Sequence, residues 1–187
     1  MSAFEEVKFN EKEYIYTDTS ALLQFLGYDN DASKRRNVAS LFAKAYNSNA
    51  PLVISEIVLD EILNVIIKDA FKNVNCNNQR DIKRLKETAP DTYCRALGQA
   101  LNDYKSYKRK VLTNDAFLSD ILMATEETRE LRDQIMQTYN IFGSNDAMHL
   151  AIAREYGIEY FVTTDSDFRN ISIPDLQVIC INDNDTK

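Results

Sequence analysis

The chain has 187 residues, of which 44% are hydrophobic and 27% charged, ordinary values for a soluble globular protein. Its formal net charge of −7 argues against a simple nucleic-acid-coating protein, whose surface is normally basic. With a single histidine, the sequence cannot supply an imidazole-rich zinc site or a pair of catalytic histidines, so we expect any chemistry to depend on carboxylates.

Cysteine usage and the N-terminal residues indicate where the protein is found. Cys76, Cys94 and Cys180 are odd in number and widely spaced, which predicts free thiols in a reducing compartment. The first residues have neither a basic n-region nor an apolar h-region, and no stretch approaches 18 uninterrupted apolar residues. We therefore expect a cytoplasmic protein with no signal peptide and no membrane partner.

Four short apolar segments predict buried strands, and helical periodicity lies between them. In chain order the strands are Tyr14–Thr17, Pro51–Ser55, Glu159–Thr164 and Gln177–Ile181. The helices are ALLQFLG after the first strand, KRRNVASLFAKAY before the second, EIVLDEILNVIIKDAF after it, and Asn145–Tyr156, which Gly157 terminates. The centre, Asn77–Tyr139, has almost no β character and reads as several helices.

Strands that alternate with helices are typical of a parallel α/β sheet. We expect one α/β domain over residues 1–187, with a helical insertion at about 70–140. Charge is unevenly distributed along it. Residues 79–110 contain nine basic and four acidic residues, a net charge of +5, which leaves −12 for the rest of the chain. This asymmetry suggests a helical face that meets a polyanion, although a solvated helix with ordinary surface lysines explains it equally well.

Two aspartates directly follow predicted strands. Asp18 comes after the first strand in IYTDTS, and Asp165 comes after the third in FVTTDSDF. Residues just beyond the carboxyl ends of parallel strands line the crevice where ligands bind, so the two carboxylates converge if their strands are neighbours. A turn or helix N-cap aspartate is the structural alternative for each.

Glu61 is harder to explain as a structural residue. It lies four residues after Ile57 and four before Val65, and so projects from the apolar stripe of its helix. A carboxylate facing a core is costly unless it is paired or bound to a metal. By contrast, Glu56 complements the helix N-terminus, and Asp60 is expected to point to solvent.

The last predicted helix adds a further carboxylate. Asp146 opens this helix, where a first-turn carboxylate is also structurally favourable. His149 lies one turn later beside Leu150, and the simplest interpretation is a partly buried helical histidine. Asp167 is either a supporting carboxylate or a turn residue before Phe168.

Four carboxylates directed at one cleft repel one another, which either raises their pKa values or demands cations. Oxygen ligands of this kind suit Mg²⁺ or Mn²⁺ better than zinc. Such a site can activate water for phosphodiester cleavage, and it needs no histidine or lysine base.

Three segments resemble the signature segments of PIN-domain ribonucleases, the family that includes the VapC-type toxins of toxin–antitoxin pairs. They are YIYTDTSALLQFL, PLVISEIVLDEILNVI and SNDAMHLAIAREYGIEYFVTTDSDF, and they match in that order. The resemblance implies a three-layer α/β/α fold with a central, mostly parallel sheet. The helical stretch at about 70–140 is larger than the corresponding part of compact toxins, which leaves the substrate and the toxin role open.

The resemblance also implies the site and its chemistry. Asp18, Glu61, Asp146 and Asp165 match the acidic quartet that binds Mg²⁺ or Mn²⁺ and cuts single-stranded RNA, leaving a 5′-phosphate and a 3′-hydroxyl. Ser20 matches a hydroxyl position that supports the first aspartate, and Asp167 a less regular acidic position. An antitoxin partner and a homodimer are expected on the same ground.

The sequence therefore predicts a metal-dependent endoribonuclease that acts as the toxin of such a pair. Its basic insertion is expected to contact RNA phosphates through Lys105, Lys108 and Arg109. A non-catalytic PIN-like interaction module for protein or RNA is the alternative. A dehalogenase-type phosphatase is disfavoured because D-x-D-x-T is absent around Asp18, where the sequence reads DTSAL. A receiver-like domain needs paired acidic residues near its first strand and a functional lysine later in the chain. Neither feature is evident in this sequence, so this class is disfavoured.

Overall fold

The structure, a computed structural model, describes residues 7–28, 31–139, 141 and 143–181. The chain divides into two compact units. The first combines Met1–Val58 with Asn114–Lys187, and the second is Leu59–Thr113. The predicted single domain with an insertion at about 70–140 stays a prediction.

A parallel sheet lies at the centre of the first unit. Its four strands are β1 (Ile15–Thr17), β2 (Leu52–Val53), β3 (Tyr160–Thr163) and β4 (Gln177–Cys180). Their order across the sheet is β2-β1-β3-β4, and each neighbouring pair is parallel. The four predicted strands are confirmed. Because the chain runs from β1 to β2 on one side and returns to β3 on the other, the β1–β3 boundary is a topological switch point.

Helices connect and cover these strands. They are α1 (Thr19–Phe25), α2 (Ala32–Asn47), α3 (Glu56–Lys72), α4 (Gln79–Thr88), α5 (Pro90–Leu112), α6 (Glu126–Tyr139) and α7 (Ser144–Glu155). A 3₁₀ turn follows β3 at Ser166–Phe168. The predicted α/β class and its helices are confirmed. Gly157 ends α7 as predicted: with φ at +62°, it donates to Arg154 while Ile158 donates to Ala153, a Schellman motif.

Aromatic side chains fix the position of α7 on the sheet. The ring of Tyr16 on β1 stacks on Phe161 of β3, with centroids 5.4 Å apart. The imidazole of His149 on α7 lies edge-on to Tyr16, with centroids 5.8 Å apart. Because the two strands are in register at Tyr16 and Phe161, both rings project from one face, and α7 packs against that face.

One feature of the first unit differs from the prediction. The stretch 77–139 was expected to be helical, but part of it is extended beside β2, where Phe117 bridges Leu52 and Leu122 bridges Ser55. The two bridges are isolated and parallel. The pairing therefore leaves no period-two pattern in the sequence from which a strand can be predicted.

The second unit consists of helices. Phe71, Cys76 and Ala96 form its small core, which is extended by partly buried side chains of Ile67, Val74, Ile82, Leu85, Tyr93 and Leu97. No residue of α4 is fully buried, so this short helix depends on one amphipathic face and on its cap. Asn78 caps it by accepting a hydrogen bond from the Asp81 amide at 3.0 Å.

In the ranges that the structure describes, none of the helices combines the length and the apolar composition needed to cross a bilayer. The cysteines are free thiols, as predicted: Cys76 is buried, Cys94 exposed and Cys180 half-buried.

Candidate functional site

Asp18 and Asp165 lie at the same edge of the sheet, just beyond the carboxyl ends of β1 and β3. β1 and β3 are neighbours, and the Asp18 amide extends their pairing by donating to the Val162 carbonyl at 2.9 Å. Asp165 follows the last residue of β3, Thr163, by two positions. The two aspartates therefore lie at the carboxyl ends of neighbouring strands, at the switch point of the sheet.

Two hydroxyl groups hold one oxygen of the Asp18 carboxylate. Ser20 Oγ donates to Asp18 Oδ2 at 2.7 Å, and Thr163 Oγ1 donates to the same oxygen at 2.8 Å. Each hydroxyl in turn accepts from the backbone: Ser20 from the Thr164 amide at 2.9 Å, and Thr163 from the Asp165 amide at 3.0 Å. These backbone donors fix the direction of each hydroxyl proton, so both protons point at Asp18.

The other oxygen of Asp18 remains available for chemistry. Asp18 is only 5% exposed, yet in the part of the chain that the structure describes, its Oδ1 accepts no hydrogen bond. The N-cap role left open by the sequence is weak, because the Ser20 amide is 3.4 Å from Oδ2. A buried carboxylate with one oxygen held by donors and the other without a hydrogen bond is suited to bind a cation.

Asp165 and Asp167 form a short turn beside this cluster. The Asp167 amide donates to Asp165 Oδ1 at 2.9 Å, so Asp165 does cap the 3₁₀ turn, which was its structural alternative. Its second oxygen is not used by that contact. Asp165 is half-buried, whereas Asp167 is exposed.

A cavity of about 340 Å³ brings Asp146 and Asp167 together. Its other lining residues are Tyr139, Ile141, Gly143, Phe168, Asn170 and Ile171. Asp146 lies in the first turn of α7, and its carboxylate folds back over the residue that precedes the helix: a Cβ on Gly143 would lie 2.0 Å from Asp146 Oδ2. Gly143 is the N-cap residue of α7, and glycine here makes room for the carboxylate.

The remaining predicted site residues lie in the second unit. Glu61 is half-buried on α3, while its neighbour Asp60 is exposed, which agrees with the helix register read from the sequence. Lys105 and Arg109 are exposed on α5, and Lys108 is half-buried between them. Their spacing of three and four residues places the three cations on one face of the helix. Within the described residues, none of the three forms an ion pair.

The sequence missed the residues behind Asp18. His149 is 1% exposed, and its Nε2 lies 3.7 Å from Asp18 Oδ1. On the other side of the ring, the Tyr16 hydroxyl is 2.7 Å from Nδ1 and 2.6 Å from the Ser55 hydroxyl. The contacts of Tyr16 join it to residues 39 and 133 positions away, and the apolar neighbours of His149 gave no signal of them. In both YIYTDTS and VTTD, threonine and aspartate follow an apolar strand. These polar residues at the strand ends were the one signal from which a role for Thr163 could be predicted.

The sequence matches a known family over most of its length. The family model described as "PIN domain" matches residues 15–174. The chain belongs to the PIN domain family. This match includes β1, β2 and β3 and residues of both units, and it confirms the resemblance seen in the three signature segments. Among curated proteins, none matches the sequence.

Two solved structures are similar to this PIN domain. One, from Rickettsia felis, is described as VapBC2 bound to a DNA fragment from its promoter; it is 18% identical, with 90% of this chain and 98% of that chain covered and a TM-score of 0.51. The other is VapC20 of Mycobacterium tuberculosis, described as a toxin that cleaves the sarcin–ricin loop; it is 17% identical, with 87% and 98% covered and a TM-score of 0.47. At 18% identity, the similarity to the Rickettsia structure shows a shared fold and nothing more.

The donor set of the first unit fits a divalent metal ion. Asp18 offers Oδ1 from a carboxylate that two hydroxyls already orient, and His149 offers a ring nitrogen beside it. Carboxylate oxygens are the ligands preferred by Mg²⁺ and Mn²⁺, and donors that orient a ligand from behind are a general feature of metal sites.

Proposed function

We propose that this PIN domain protein is a metal-dependent endoribonuclease that cleaves single-stranded RNA with water as the nucleophile, and that it acts as the toxin of a toxin–antitoxin pair. One observation supports this most strongly: Asp18 is buried at the carboxyl edge of the sheet, with one oxygen held by Ser20 and Thr163 and the other facing the site. A carboxylate that serves only a structural purpose has no need of this arrangement.

Each predicted site residue has a proposed role. Asp18, Asp146 and Asp165 hold Mg²⁺ or Mn²⁺, and Glu61 is the fourth carboxylate, which completes the metal site and orients the water. When bound, the ion supplies a lowered pKa for water and stabilises negative charge on the phosphate. Ser20 keeps Asp18 in its binding orientation, and Asp167 supports Asp165 through the turn they share.

The substrate backbone is held by the basic face of α5. Lys105, Lys108 and Arg109 project from one side of the helix and pair with phosphates, which positions the strand without reading its sequence. The acidic body of the chain adds no such attraction. We therefore expect modest affinity for RNA in general and a marked dependence on salt.

The biological setting is proposed from the family. An antitoxin is the expected protein partner, because the similar Rickettsia structure is described as a VapBC complex. A homodimer and a cytoplasmic location remain predictions from the sequence. Size-exclusion chromatography with light scattering distinguishes a dimer of this chain from a monomer.

The test is a cleavage assay with matched variants. Purified protein is incubated with several single-stranded RNAs and Mg²⁺ or Mn²⁺, with EDTA controls and with the Asp18→Asn and Asp146→Asn variants. We expect cleavage that stops with EDTA and in both variants. Cleavage that survives chelation and both substitutions contradicts the mechanism. A wild-type protein that cuts no RNA yet binds one or a protein partner supports the non-catalytic module instead.

A further inference from the structure

His149 is the only histidine of the chain, and its buried ring lies beside Asp18, the central carboxylate of the proposed metal site. Its Nε2 faces Asp18 Oδ1 across 3.7 Å. That distance is too long for a hydrogen bond, whose N···O separation is about 2.7–3.2 Å. It does suit two ligands of one ion: atoms that each lie about 2.1 Å from a metal are separated by roughly 3–4 Å.

The hydroxyl groups behind the ring can accept either tautomer of the imidazole. Tyr16 OH lies within hydrogen-bond distance of both Ser55 Oγ and His149 Nδ1, and it has a single proton. If Ser55 donates to Tyr16 and Tyr16 donates to Nδ1, the ring proton is on Nε2 and faces Asp18. If Nδ1 donates to Tyr16 and Tyr16 donates to Ser55, a lone pair on Nε2 faces Asp18 instead.

The Ser55–Tyr16 and Tyr16–His149 hydrogen bonds form in both arrangements, and the net charge of the three groups is the same in both. The first is favoured without a metal, because an N–H then faces the negative Asp18 oxygen rather than a second lone pair. The second is favoured once a cation lies at Asp18 Oδ1, because only the lone pair binds it. Reorienting two hydroxyl protons and exchanging the ring tautomer is therefore enough to convert the site.

We propose that His149 Nε2 is a nitrogen ligand of the metal ion that Asp18 binds, and that the Ser55–Tyr16 pair accommodates either ring tautomer. The proposal depends on the metal site of the proposed function and extends its donor set beyond carboxylates. Imidazole adds affinity for first-row transition ions and little for Mg²⁺, which prefers oxygen. The site is therefore expected to favour Mn²⁺ or a later transition ion over Mg²⁺.

The direct test is electron spin echo spectroscopy of the Mn²⁺-loaded, untagged protein. We expect modulation from a coordinated ¹⁴N that changes to the ¹⁵N pattern when histidine is ¹⁵N-labelled. Because the chain has one histidine, the signal has a single assignment. Mn²⁺ that binds without nitrogen modulation overturns the inference and leaves the proposed nuclease intact. If wild-type protein binds no Mn²⁺, the proposed function fails together with it.

Two further measurements separate ligation from a packing role. Long-range ¹⁵N–¹H spectra of the metal-free protein are expected to show the Nε2–H tautomer, and Zn²⁺, which is diamagnetic, is expected to convert it to Nδ1–H. Folded His149→Gln is expected to lose about tenfold in Mn²⁺ affinity and less than threefold in Mg²⁺ affinity. An equal loss for both ions, or a tautomer that Zn²⁺ leaves unchanged, contradicts the assignment.

Discussion

The carboxyl edge of the sheet and the basic face of α5 carry charge in opposite ways. At the sheet edge, Asp18 is 5% exposed, and two hydroxyls whose own direction is fixed by the backbone hold one of its oxygens. On α5, Lys105 and Arg109 stand in solvent, and no ion pair holds them within the described residues.

This difference separates two kinds of proposed functional residue. A desolvated charge interacts strongly with a bound cation. The strength of that interaction, and any catalysis that depends on it, changes when the charge moves by a fraction of an ångström. An exposed charge contributes to a summed field that salt screens, and no single cation is decisive. Substitutions at the sheet edge are therefore expected to have large, geometry-dependent effects, and those on α5 small, additive ones.

Removing the buried charge is expected to have the largest effect. Asp18→Asn keeps the shape of the side chain and lowers the cleavage rate roughly a thousandfold, about 4 kcal/mol of barrier, because the metal ligand is lost. The control is Asp175→Asn, an exposed turn residue at the opposite edge of the sheet, whose φ of +63° suits asparagine. Single-turnover rates measure both. Similar losses in the two variants rule out a special role for Asp18.

Moving a carboxylate without removing it is expected to have the next largest effect. In Gly143→Ala the new Cβ occupies the position of Asp146 Oδ2, and the carboxylate must rotate away. Cleavage is expected to fall ten- to a hundredfold while the melting temperature changes little, because only a side-chain end moves.

The matched control is Gly98→Ala, in the interior of α5, where nothing lies within 4 Å of an added Cβ. It is expected to keep full activity and to gain about 0.5–1 kcal/mol in the free energy of unfolding. Full activity in Gly143→Ala removes Asp146 from the account.

Loss of an orienting hydroxyl is expected to cost less. Ser20→Ala and Thr163→Val each remove one donor to Asp18 Oδ2 and are expected to weaken Mn²⁺ binding about tenfold, measured by titration calorimetry. Thr163→Ser keeps the hydroxyl and should restore most of the affinity. Because both donors act on one oxygen, the double variant is expected to depart from additivity. Strictly additive losses indicate that the hydroxyls do not act through Asp18.

The basic face is expected to show the smallest effect per residue. Reversing the charge of Lys105, Lys108 and Arg109 by substitution with glutamate should weaken RNA binding about fivefold. The slope of the logarithm of the association constant against the logarithm of the salt concentration should fall by about 2, because each phosphate contact to a single strand releases about 0.7 counterion. The rate at saturating RNA should not change. The same reversal at Arg35, Arg36 and Lys44 on α2 is the charge-matched control. Equal weakening in both triples shows that net charge, rather than this face, attracts the RNA.

Much of the fold follows from local patterns in the sequence. The four apolar strands and the periodic helices between them predicted a parallel sheet, and the Asp18 and Asp165 positions followed because carboxyl ends of parallel strands share an edge. The pairing of Phe117 with Leu52 did not follow, since an isolated bridge at an edge imposes no alternation on the sequence.

The surroundings of the site depend on long-range contacts that spacing does not encode. Tyr16 was counted among the residues of a buried strand, and His149 was interpreted as a partly buried helical histidine. Tyr16 is buried as expected, and His149 is more deeply buried than expected, at 1% exposed. Their polar atoms meet only because β1 and α7 pack together, 133 positions apart in the chain.

The fate of the attacking oxygen tests the central claim most directly. A short single-stranded RNA is cleaved in one turnover with Mn²⁺ in water enriched in ¹⁸O, and both fragments are weighed by mass spectrometry. If carboxylate-held metal activates water, the downstream fragment carries a 5′-phosphate with one ¹⁸O, and the upstream fragment ends in a 3′-hydroxyl. A 2′,3′-cyclic phosphate with no label in the downstream fragment contradicts the account.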